Sequence, residues 1–192
     1  KVHSPFDLLS DEELLNALLS TKDNNDFIIL LSQLETRNIR RFMNVLEEFL
    51  VSKDIKQNAK TIILELLKSQ DVNKVVKVRN KENIIDVDLK EMKNVLDQEE
   101  INLILTKINE IENNDDPNYL LYAQDVLFSY SGYIYPELLN KKNINDVSCA
   151  ISLYVDSLFN NEEDFENKVN IYSASLNEVN KIFDEISDSM LY

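Results

Sequence analysis

Residues Ile55-Lys-Gln-Asn-Ala-Lys-Thr-Ile-Ile-Leu-Glu-Leu-Leu-Lys-Ser-Gln70, followed by Val72-Asn-Lys-Val-Val-Lys-Val78, change period within a few positions. In the first stretch Ile55, Ala59, Ile62, Ile63, Leu66 and Leu67 recur at steps of three and four, which places them on one face of a helix. The second stretch is β-branched and partly alternating, the pattern of a strand. Ile84-Ile-Asp-Val-Asp-Leu89 repeats that pattern, with the polar Arg79-Asn-Lys-Glu-Asn83 between the two. The spacing predicts a β-hairpin over about 72–89, set into helical surroundings. Asn80 and Asn83 are expected to supply the left-handed geometry of its turn, because Asn tolerates it best after glycine. An isolated two-stranded hairpin is marginal in water, so this one is expected to pack on its helical neighbours.

On the N-terminal side the pattern is helical throughout. Ser10-Asp-Glu-Glu13 reads as a capping box, with the Ser10 hydroxyl and the Glu13 carboxylate each taking an otherwise orphaned N–H. It predicts a helix over 11–20 with Leu14, Leu15, Leu18 and Leu19 marking one apolar face. Further helices are predicted near 25–35 and 38–52, joined by short connectors that force antiparallel neighbours. On the C-terminal side, Asp97-Gln-Glu-Glu100 opens a helix carrying Ile101, Ile104, Ile108 and Ile111. Asn113-Asn-Asp-Asp116 reads as the linker after it. Asp116 caps a helix over 117–134 that has Pro117 at its first position. A helix over 146–159 turns in Val147, Ile151, Val155 and Leu158 or Phe159. The region 162–189 reads as one long helix or two, with Tyr172, Leu176, Val179, Phe183 and Ile186 as its stripe.

Gly132 is the single glycine in 192 residues. A chain so poor in glycine cannot readily build a phosphate-cradling loop or a meander of tight turns. The fold class predicted is therefore mainly α: a repeat-like stack of antiparallel helical hairpins with one inserted β-hairpin. Residues 1–71 form the N-terminal hairpins, 72–89 the β-hairpin and 90–192 the acidic helical remainder, expected as one continuous unit.

Charge divides the chain. Residues 1–80 carry 12 basic and 12 acidic side chains, whereas residues 81–192 carry 8 and 23. That acidity would repel a nucleic-acid backbone or an anionic membrane. Any weak nucleic-acid binding would rest on Arg37, Arg40, Arg41, Lys53, Lys56 and Lys60. His3 is the only histidine and Cys149 the only cysteine. That closes Ser-His-Asp and Cys-His catalysis with an internal base, and most zinc sites. It also rules out an intrachain disulfide, which fits a reducing cytoplasm. Cys149 is expected to be a buried, inert thiol. Adjacent carboxylates such as Glu47-Glu48, Glu99-Glu100 and Glu162-Glu163 point to different sides of a helix and share no site. No catalytic, cofactor or metal residues are assigned, and the chain is expected not to be an enzyme.

The stretch 55–78, the hairpin after it and the helix start at Asp115-Asp-Pro-Asn-Tyr119 resemble tetratricopeptide-repeat proteins of low-GC Gram-positive bacteria such as staphylococci and bacilli. The resemblance covers about residues 36–135. It implies a cytosolic protein of a family without an assigned molecular activity, and it carries over core positions rather than functional residues.

Tyrosines supply the remaining candidate site. Tyr119, Tyr130 and Tyr133 project to one side of the 117–134 helix, with Tyr122 further round. Such a stripe either wedges between helices or lines a groove for a peptide, because Tyr offers rigid area with a polar tip. The function expected is a non-catalytic interaction or scaffold module with a protein or peptide partner. The alternative is a regulatory domain of a larger complex, or a weak nucleic-acid binder through the basic N-terminal helices.

Overall fold

A computed structural model describes residues 8–112, 116–159 and 165–190. His3, the central part of the 113–116 linker and the stretch around Glu162 and Glu163 lie outside the described residues. Among the described residues there are nine α-helices and one antiparallel β-hairpin, so the chain is mainly α as its periodicity predicts. It separates into two compact units, Lys1–Met92 and Lys93–Tyr192, and the hairpin belongs to the first.

In the first unit, α1 (Asp11–Ser20) starts at the capping box: Ser10 Oγ accepts from the Glu13 N–H, and Glu13 accepts from the Ser10 N–H at 2.9 Å. α2 (Asn24–Ser32) is capped by Asp23. It tightens into a 3-10 turn at Gln33–Thr36, and a second such turn, Ile39–Phe42, leads into α3 (Met43–Val51). The two helices predicted near 25–35 and 38–52 are therefore shorter as α-helices, with 3-10 turns at their facing ends, where such turns are common. The tightening keeps Leu34, Ile39 and Phe42 in the core. α4 (Gln57–Ser69) buries Ala59, Ile63, Leu64, Leu66 and Leu67 against α2 and α3. Phe27 and Phe49 meet edge to face at 5.1 Å.

Strands β1 (Val75–Asn80) and β2 (Asn83–Asp88) pair with Val76 opposite Val87 and Val78 opposite Ile85. Val76, Val78 and Val87 are buried, and β1 lies against α3. The ladder runs further than the sequence suggests. Asn80 and Asn83 are cross-strand partners and hence extended, so the positive φ falls on Lys81, at 53°, and not on either asparagine.

In the second unit, α5 (Glu99–Glu112) packs on α6 (Pro117–Ile134) and α7 (Ile144–Leu158), and α7 also meets α6, α8 (Phe165–Ile171) and α9 (Leu176–Met190). Asp116 caps α6 and Pro117 opens it, as read from the sequence. α7 begins two residues before the expected Asp146, because Asn143 accepts from the Asn145 and Asp146 N–H groups. Asp146 turns its carboxylate to the Ser175 N–H instead, at 2.7 Å. The C-terminal region is two helices, with Ser173 left-handed between them. Tyr172, Val179 and Ile186 of its stripe are buried, whereas Leu176 is exposed; Leu158, which ends α7, and Phe159 after it are also exposed rather than inward.

Candidate functional site

The tyrosine stripe is mostly core. Tyr119 and Tyr130 are buried, and Tyr133 is half-buried against the core of the second unit. Of the two readings open for the stripe, Tyr119 and Tyr130 take the wedge between helices. The reason is angular: at about 100° per residue these two almost superpose, while Tyr133 and Tyr122 lie roughly 40° and 60° to one side. That side faces solvent, and Tyr122 is the exposed tyrosine of α6, at 44%.

Both buried hydroxyls are bonded. Tyr130 donates to Glu185 at 3.0 Å. Tyr119 reaches a polar cluster that the sequence reading missed. There Lys168 of α8 donates to Asp156 of α7 and, at 3.1 Å, to Glu112 at the end of α5. Tyr119 donates to Asp156 at 3.0 Å and lies 2.9 Å from Ser152 Oγ. Ser152 donates to Glu112 at 2.5 Å, and Tyr172 does so at 2.7 Å. The partners are 12 to 60 residues apart in sequence, so no local spacing could have signalled them.

Electrostatics define what this cluster can do. Burial alone would lower Lys168, but the hydrogen bond it donates to Asp156 and the charge of Glu112 outweigh it, and the ammonium is held above its usual range. Burial raises Asp156, a shift that its contacts with Lys168 only partly offset. Desolvation also pushes the Tyr119 and Tyr172 hydroxyls well above the usual tyrosine range. The amine stays protonated and the phenols stay neutral, so none of the three is set up as a nucleophile or base near neutral pH. The cluster is a clamp that ties α5, α6, α7 and α8. Cys149 is fully buried beside it, and its thiol is pushed up to about 12, mainly by desolvation, which makes it inert.

The exposed chemistry of this unit lies elsewhere. Tyr122 on α6 and Phe159 after α7 stack edge to face with centroids 5.4 Å apart, yet stay 44% and 40% exposed. Leu121 and Leu158, their sequence neighbours, are exposed as well. Asp125, one turn along α6, is exposed on the same side. Asp115 and Asp116 precede α6, and Glu162-Glu163-Asp164 follows Phe159 in the sequence.

The basic candidates of the first unit are largely committed to the fold. Arg37 binds Asp11 and the Leu9 and Gln33 carbonyls, and Arg41 binds Asp11. These two guanidiniums hold Asp11 below the usual carboxylate range. Arg40 caps the end of α4 through the Gln70 and Asp71 carbonyls at 3.1 Å each. Lys60 is buried, whereas Lys53 and Lys56 are exposed. Among the described residues no three His, Cys, Asp or Glu side chains converge as a metal ion would require, and no helix is long and apolar enough to cross a membrane. Comparison with protein families, characterised proteins and solved structures finds no match to this chain.

Proposed function

We propose that this chain is a non-catalytic, cytosolic protein-interaction module of the helical-repeat type. Its contact surface is the exposed group Leu121, Tyr122, Leu158 and Phe159. The observation that carries the reading is the Tyr122–Phe159 pair: two aromatic rings that contact each other and both remain exposed to solvent. Exposed aromatics beside aliphatic neighbours are the residues from which binding hot spots are built. The acidic side chains around them in sequence complement a basic partner, and a cationic amphipathic helix has the matching chemistry. The layering of the second unit supports the repeat reading. The α5–α6 hairpin is followed by α7 and α9, with α5 against α7 and α6 against α9, as in stacked helical hairpins.

A fluorescent model helix of Leu and Lys, compared with one of Leu and Glu, tests the proposal. The Leu-Lys helix should bind and the Leu-Glu helix should not. Tyr122→Ala combined with Phe159→Ala should weaken binding by at least about tenfold, or roughly 1.4 kcal/mol, while the melting temperature stays put. Equal binding to wild type and variant would reduce the effect to bulk charge and sink the reading.

A further inference from the structure

The fold buries two lysines to almost the same degree and treats them in opposite ways. Lys168 is 2% exposed and meets two carboxylates; Lys60, on α4, is 3% exposed and meets none among the described residues. The hydrogen bond of the Lys60 ammonium is a long one, 3.4 Å, to the Arg79 carbonyl. The neighbouring ionic group is a second cation, the Arg79 guanidinium, whose charge adds to burial in lowering the Lys60 pKa. Arg79 spends its Nε–H on the Val51 carbonyl at 2.8 Å, which caps α3. Among the described residues its terminal nitrogens make no hydrogen bond. A buried ammonium with three donors, one weak acceptor and a like charge beside it is costly. In an otherwise well-satisfied interior such a group has the chemistry to recruit an anion. The N-terminus of α4 adds to this field. Its cap position is Lys56, whose side chain makes no capping bond, and Lys60 lies one turn in, with its side chain inclined back toward that end.

We propose that Lys60 and Arg79 form a binding site for a small phosphate-like oxyanion, held between the ammonium, the free edge of the guanidinium and the start of α4. The burial of Lys60 suits a compact anion rather than a polymer backbone. A tetrahedral oxyanion presents enough acceptors to meet both head groups at once. Charge explains why the site would be quiet without a ligand: the two cations repel, and the anion turns that repulsion into a shared attraction.

The test is thermal unfolding of the full chain in inorganic phosphate, in glycerol 3-phosphate and in sodium chloride at matched ionic strength. Phosphate at about ten times its dissociation constant should raise the melting temperature by roughly 3–6 °C over chloride. An equal rise with glycerol 3-phosphate would identify a monoester headgroup as ligand, and a rise with phosphate alone would identify the free anion. Lys60→Met, which keeps the volume and removes the charge, should abolish the rise, whereas Lys60→Arg should keep it. Backbone amide shifts of the wild type on phosphate titration should concentrate at residues 56–60 and 79–80, a readout that needs no variant. No excess stabilisation over chloride, an undiminished rise in Lys60→Met, or amide shifts confined to other segments would each overturn the proposal.

Discussion

Gly132 sits in the last turn of α6, has no positive φ, and leaves open space where a Cβ would stand. The chain's single glycine is therefore not used for anything only glycine can do. Meanwhile Asp71, Lys81 and Ser173 take up the left-handed conformations at φ of 54°, 53° and 53°. Gly132→Ala should stabilise the protein by about 0.5–1 kcal/mol, because alanine loses less backbone entropy in a helix; a calorimetric melt checks it, and destabilisation would mean that α6 needs the flexibility. Tyr130→Ala, at a fully buried site, should cost roughly 3–5 kcal/mol, the range for removing a large core aromatic. Lys168→Met should cost about 3–5 kcal/mol near neutral pH, because it leaves Asp156 and Glu112 facing each other without their cation. Its deficit should shrink on acidification. Asp156 already lies above its ordinary value, and without Lys168 it rises further. A carboxylate raised in the folded state stabilises below its unfolded pKa and loses that stability as pH climbs through the folded value. Denaturant melts across pH 4.5 to 8 would show the trend, and a constant deficit would count against it.

At the scale of elements, every predicted helix and the hairpin are present, because each rests on an apolar period that local sequence carries. Caps were legible where a side chain bonds within three residues, as at Ser10 and Asp116. Ser10→Ala should cost about 1 kcal/mol, read from a denaturant midpoint. Errors fell where a distant partner decides. The sequence starts α7 at Asp146, but the Ser175 N–H recruits the Asp146 carboxylate and Asn143 caps a helix that begins at Ile144. Leu158 and Phe159 read as core but lie past the last covered turn of α7. The tyrosine site was half legible: Tyr119 and Tyr130 lie in the core, one of the two readings open for the stripe, while Tyr122, placed further round, is the exposed tyrosine of α6. The polar clamp was illegible, since its members meet only after four helices have folded. Lys60 and Arg79 were equally hidden, because pairing between a helix and a strand cannot be read from either alone.

For the molecule as a whole, the two compact units predict that residues 1–92 and 93–192 fold separately; each expressed alone should give a cooperative melt, the first with a small strand component in its circular dichroism. A fragment that stays unfolded would contradict that division. Within the second unit the clamp has a further consequence, for motion rather than strength. α8 is seven residues long, too short to persist as a helix in water unless something holds it. Its inward attachment runs through Lys168 and Val169, and Lys168 joins it to α5 and α7 together. Its amides are therefore coupled to a contact that either exists entirely or is solvated. On hydrogen exchange, α8 should open in a single step well below the free energy of global unfolding, and exchange faster still in Lys168→Met. α7, closed in by apolar contacts on several sides, should keep its protection to the last.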